Sequence, residues 1–71
     1  METITISTPF IKLDQLLKFA GITGSGSDAK FLIQDSLVSV NGEICTMRGK
    51  KIRAGDAIQI KDGPTLKVKA Q

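Results

Sequence analysis

Seventy-one residues with 10 Lys+Arg against 7 Asp+Glu give a net charge of +3, and there is no histidine. A chain this short buries only about 60% of the surface its unfolded state exposes, which leaves room for one compact core over residues 1–71 and none for a deep catalytic pocket. Without an imidazole, and with one cysteine, the chain offers no His base, no His-ligated metal, no thiolate cluster and no internal disulfide.

The opening Thr3-Ile4-Thr5-Ile6-Ser7 alternates apolar and polar residues, as a half-buried strand does, and Thr8-Pro9 breaks it. From Lys12 to Ala20, Leu13, Leu16, Leu17 and Ala20 fall on one helical stripe, and Gly21 supplies a left-handed stop. The turn over residues 21–27 is rich in Gly and Ser. It ends in Ser25-Gly26-Ser27-Asp28, whose S-x-x-D form is that of a capping box at the start of a second helix. That helix carries Ala29, Leu32 and Ile33 inward and stops near Asp35-Ser36; Phe19 and Phe31 are expected to pack.

Leu37 to Val40 and Glu43 to Cys45 read as strands joined by Asn41-Gly42, a strong short hairpin signal. A polar, basic loop covers Thr46 to Lys51. Ile52 returns to the core, Ala54-Gly55-Asp56 turns into the strand Ala57 to Ile60, and Lys61 to Pro64 turns into Thr65 to Lys69, with Leu66 and Val68 inward. The expected class is α+β: a two-helix unit on a small, mostly antiparallel sheet with a β-hairpin.

The charge is localised. Arg48, Lys50, Lys51 and Arg53 face Glu43 alone between residues 43 and 55, and the rest of the chain, six lysines against Glu2 and five aspartates, is neutral. Such a cluster is the footprint of a polyanion partner, or else a solvated basic loop. The start of the second helix offers free N–H groups, the hydroxyls of Ser25 and Ser27, and Lys30 one turn inside. Those serines serve as caps, as a phosphate dock, or as both. The aspartates are scattered through turns and helix starts, where turn and cap formation explain them. Cys45 on a strand reads as a structural thiol. The inventory points away from catalysis, cofactors and small-molecule substrates. No Trp or Tyr is present, so with packed phenylalanines the chain has no platform for splayed bases. Backbone and shape recognition of folded RNA fits better, with duplex DNA second. No run approaches the roughly 18 apolar residues of a membrane span, and no export signal is visible, so a cytoplasmic location is expected.

Four segments resemble a known family: Lys12-Leu13-Asp14-Gln15-Leu16-Leu17; Gly24-Ser25-Gly26-Ser27-Asp28-Ala29-Lys30-Phe31-Leu32-Ile33; Val38-Ser39-Val40-Asn41-Gly42; and Gly55-Asp56-Ala57-Ile58. In this order they are similar to the R-L-D-x-x-L, S-R-S-E-A-x-x-L-I, V-x-V-N-G and G-D-x-I signatures of the RNA-binding domain named after ribosomal protein S4. The match runs from about residue 11 to about residue 60. Arg48-Gly49-Lys50-Lys51-Ile52-Arg53 looks like the R-G-K-K-L-R stretch of the small stand-alone members, of the YaaA or YbcJ type.

The resemblance implies two helices and a hairpin in an L-shaped αL arrangement. It also implies binding to structured RNA, usually ribosomal, through Lys12, Ser25, Ser27, Lys30, Arg48, Lys50, Lys51 and Arg53, with Asn41 first of all a turn residue and, beside that, a candidate RNA contact. Two positions depart from the pattern. Gly26 stands where the family has arginine, and Met47 where close relatives often have another, which shifts weight onto Lys50, Lys51 and Arg53. A role in ribosome assembly, with ribosomal RNA or a subunit as partner, is the implied setting. A protein-interaction module docking an acidic or ribosomal protein is the alternative.

Overall fold

A computed structural model describes residues 2–24 and 26–71. In chain order the elements are β1 (Glu2–Ile6), β2 (Ile11–Lys12), α1 (Leu13–Phe19), α2 (Gly26–Gln34), β3 (Val38–Val40), β4 (Glu43–Ile44), β5 (Lys51–Ile52), β6 (Ala57–Ile60) and β7 (Thr65–Ala70). Five strands form one mixed sheet in the order β1-β7-β6-β3-β4, and β2 and β5 form a separate two-stranded sheet. The α+β class and the mostly antiparallel sheet hold. The exception is β1, which pairs parallel with β7, Ile4 opposite Val68. Parallel neighbours need a long crossover, and here all the intervening chain supplies it.

Helix α1 forms because its leucine stripe is buried: Leu13, Leu16 and Leu17 are wholly enclosed. It stops at Gly21, whose φ of +76° is open to glycine without a Cβ penalty. There the Gly21 N–H donates to the Lys18 carbonyl (3.1 Å) and the Ile22 N–H to the Leu17 carbonyl (3.0 Å), closing a Schellman motif. Helix α2 ends in the same way one residue past Asp35: Ser36 takes φ +63°, its N–H bonds the Ile33 carbonyl at 3.2 Å, and the Leu37 N–H bonds the Leu32 carbonyl at 3.1 Å. The helices pack on each other, and Ala29 and Ile33 of α2 join the core.

Across the sheet, Val40 lies opposite Ile58 and Ile58 opposite Leu66, a buried row contributed by three strands. Lys67 and Lys69 alternate outward, as expected of a sheet with one solvated face. Asn41 (φ +52°) and Gly42 (φ +88°) close the β3–β4 hairpin as a two-residue turn with both central residues left-handed, the type I′ geometry that matches strand twist. Cys45 is half-buried against the core, and its thiol points at the Met47 carbonyl, 3.6 Å away.

One expectation fails. Phe19 and Phe31 are not packed; they are 65% and 63% exposed. Each lies two residues past a core residue, Leu17 and Ala29, and two helical steps of about 100° carry a side chain to the far side of its helix. Position outweighs the apolar character of the side chain. Aromatic surface is therefore available to a partner, contrary to the expectation from packed phenylalanines.

Candidate nucleic-acid interface

The basic segment is built onto the start of α1 through its backbone. Helix α1 begins after Lys12, an extended residue whose side chain makes no capping bond. The first N–H groups of any helix lack intrahelical partners. Here the Leu13 N–H donates to the Lys50 carbonyl at 2.9 Å and the Asp14 N–H to the Arg48 carbonyl at 3.1 Å. The loop is itself tightened by the Lys50 N–H on the Met47 carbonyl, 3.1 Å. Because carbonyls do the capping, the side chains of Arg48 and Lys50 stay free of that task, and both residues are exposed.

Immediately beyond, β5 pairs antiparallel with β2, Ile11 opposite Ile52 and Lys12 opposite Lys51. Directly opposed residues share a face. Ile52 is fully buried and Ile11 packs on the core, so the lysines both point to solvent. Lys12 thus joins Arg48, Lys50 and Lys51 although it lies far from them in sequence. Just before β2, the Lys51 ammonium sits 4.9 Å from the centroid of the Phe10 ring.

A second joint fastens the other end of the basic segment. The Asp56 carboxylate accepts the Arg53 N–H at 2.8 Å and the Asn41 side-chain amide at 3.0 Å. The Asn41 amide oxygen in turn accepts the Ala57 N–H at 2.9 Å. Partial burial pushes the Asp56 carboxyl up, but the Arg53 N–H, the Asn41 amide and the nearby charges of Lys50 and Arg53 together hold it below its ordinary 3.8. Asn41 is therefore a fastening between the hairpin turn and the Gly55-Asp56 turn, while the Arg53 side chain remains at the surface.

On α2, Ser27 is exposed in the first turn and Lys30 is half-buried. Among the described residues no hydrogen bond joins either to the β2–β5 cluster. Ser25, and with it the expected capping box, lies outside the described residues. A cleft of about 470 Å³ opens beside the hairpin, lined by Asn41, Ile44, Cys45, Met47 and Lys50 among others. Ile44 and Met47 are 63% and 67% exposed at its rim. No group of three or more His, Cys, Asp or Glu residues that could hold a metal is found among the described residues. None of their helices is long and apolar enough to cross a membrane.

Two residues that matter to this geometry escape a charge-led reading. Asp56 positions the strand after the loop, and Phe10 stands under Lys51. No local pattern marks Phe10: it precedes the two residues of β2, and only the fold brings Lys51 over its ring.

A family model described as the S4 domain matches residues 4–69. The probable ribosome maturation protein RlbA of Bacillus subtilis (strain 168) is 40% identical over 57 residues, covering 80% of each chain. Among solved structures, YbcJ from E. coli, described as revealing an αL motif involved in RNA-binding, superposes with a TM-score of 0.76 at 34% identity, over 99% of this chain and 89% of that one. A pseudouridylate synthase superposes with a TM-score of 0.67 at 29% identity over 73% of this chain. The likeness spans 22% of that synthase.

Proposed function

This chain belongs to the S4-domain family, and on that premise we propose that it is a non-catalytic RNA-binding protein of ribosome maturation that grips the backbone of folded ribosomal RNA. The observation that carries the reading is the assembly of Lys12, Arg48, Lys50 and Lys51 at the β2–β5 pair, with Arg53 at its end. Opposed like charges destabilise a strand pair, and a polyanion bound across them removes that cost. YbcJ, with its motif involved in RNA-binding, and RlbA, a probable ribosome maturation protein, support the partner and the pathway. A ribosomal target places the protein in the cytoplasm.

Affinity on this reading comes mainly from counterion release, with about four to six phosphates neutralised and a log-log salt slope of about −3 to −5. Ser27 and Lys30, at the start of α2, supply a second backbone contact through the favourable end of the helix dipole. Nothing in this set performs chemistry: lysines and arginines with no histidine and no paired base hold a backbone and leave it intact. Only a minor part of the pseudouridylate synthase is shared, so its activity does not transfer.

The test is crosslinking in cells followed by sequencing of the attached RNA. Recovery of ribosomal RNA at one cluster of positions is expected; RNA recovered no better than from a protein-free control would end the proposal. A second reading, contact with a ribosomal protein, is favoured by the exposed Ile44 and Met47. Cosedimentation with a ribosomal subunit that persists after charge reversal at Lys50 and Lys51 would select it.

A further inference from the structure

The chain has three aromatic residues, all phenylalanine, and all three stand at the surface. Phe10 differs from the other two in its setting. It is 36% exposed, and the Lys51 ammonium is held over its ring at 4.9 Å. Phe10 immediately precedes β2, and the Lys51 ammonium over its ring puts it on the outward side of the β2–β5 pair, where Lys12 also stands because Ile11 faces the core opposite Ile52. Lys12 in turn lies directly opposite Lys51. One phenyl ring and two ammonium groups therefore share a single face.

The backbone at this point is restrained. Pro9 fixes its own φ, and the Thr8 hydroxyl donates to the Phe10 carbonyl at 2.8 Å. The backbone that carries the ring thus has less conformational freedom to lose on binding.

We infer that Phe10 is a stacking platform for an unpaired nucleotide, whose flanking phosphates are taken by Lys12 and Lys51. This rests on the RNA-binding reading above and narrows it from folded RNA in general to folded RNA with a bulged or looped-out base at this face. A nucleobase presents a π-face to the ring, and its phosphates give the lysine ammonium groups a stronger partner than the ring quadrupole. Fully paired RNA keeps its bases inside the helix and reaches only the cations.

The probes are two RNA duplexes with the same number of phosphates, one fully paired and one carrying a single unpaired adenine. Phe10→Leu keeps an apolar side chain and removes the π-face; it is expected to lose about tenfold in affinity for the bulged duplex and to bind the paired one as the unaltered protein does. Because the chain has no Trp or Tyr, Phe10→Trp supplies a unique fluorophore, expected to be quenched by the bulged duplex and not by the paired one. Phe10→Leu affinities equal to those of the unaltered protein for both duplexes, or unchanged Phe10→Trp emission on binding the bulged one, would overturn the inference while leaving backbone binding intact. Failure of the unaltered protein to bind either duplex would instead overturn the RNA-binding reading, and this inference with it.

Discussion

Lys12 stands directly opposite Lys51 in the β2–β5 pair, with both ammonium groups on the solvent side and Ile11 and Ile52 turned toward the core beneath them. A strand pair chosen for stability alone would not oppose two cations. Replacing Lys12 with Gln is expected to leave stability unchanged or raise it by a few tenths of a kcal/mol, while RNA affinity falls. Urea unfolding and filter binding on the same preparation check the two halves; loss of stability without loss of binding would contradict the assignment.

Charge reversal at Lys50 and Lys51 should weaken RNA binding whatever the base sequence and reduce the magnitude of the salt slope by about 2, one unit for each phosphate no longer neutralised. The Lys50 carbonyl, not its side chain, bonds the Leu13 N–H, so the double variant should keep its fold. A binding series from low to moderate salt, read beside a thermal melt, tests this.

The carbonyl caps have their own readout. The amide protons of Leu13 and Asp14, which a free helix start would expose, should exchange slowly because they are bonded to Lys50 and Arg48. Replacing residues 46–50 with a shorter link should make both exchange fast and cost about 1 kcal/mol of stability for the missing cap. Native-state hydrogen exchange followed by NMR resolves the two amides.

Asp56 makes stability depend on acid. Its carboxyl sits below 3.8 in the folded protein, so its contribution is fully present above the unfolded value and disappears as pH falls through the lower, folded one. The unaltered protein should therefore lose more stability than Asp56→Asn between neutral pH and pH values below 3.8. Parallel urea titrations that shift equally in both proteins would rule out this role.

Phe19→Gln and Phe31→Gln should each change stability by no more than about 0.5 kcal/mol, as surface substitutions do. Ile52→Ala, at a wholly buried site, should cost about 2–5 kcal/mol. Chemical denaturation of the three variants separates the surface phenylalanines from the core.

Much of this fold is legible in local pattern. The leucine stripe of α1, the Asn41-Gly42 turn and the alternation of Ala57 to Ile60 each depend on neighbours a few residues apart, so periodicity reveals them. The cluster Arg48 to Arg53 is likewise a matter of counting. The β2–β5 pair is different. Each strand has only two residues, too few to show a period, and Lys12 reads as a helix residue by its spacing. The Asn41–Asp56 bridge is equally silent, since each residue is fully explained by its own turn.

Short-range spacing and residue type thus encode the elements, the location of the charge and the family. What the charge is built onto emerges only from the folded chain. Carbonyl caps leave no side-chain signature, and two-residue strands find their partners through burial of Ile11 and Ile52. That long-range burial brings Lys12 to Lys51 and leaves Phe10 at the surface beneath an ammonium group.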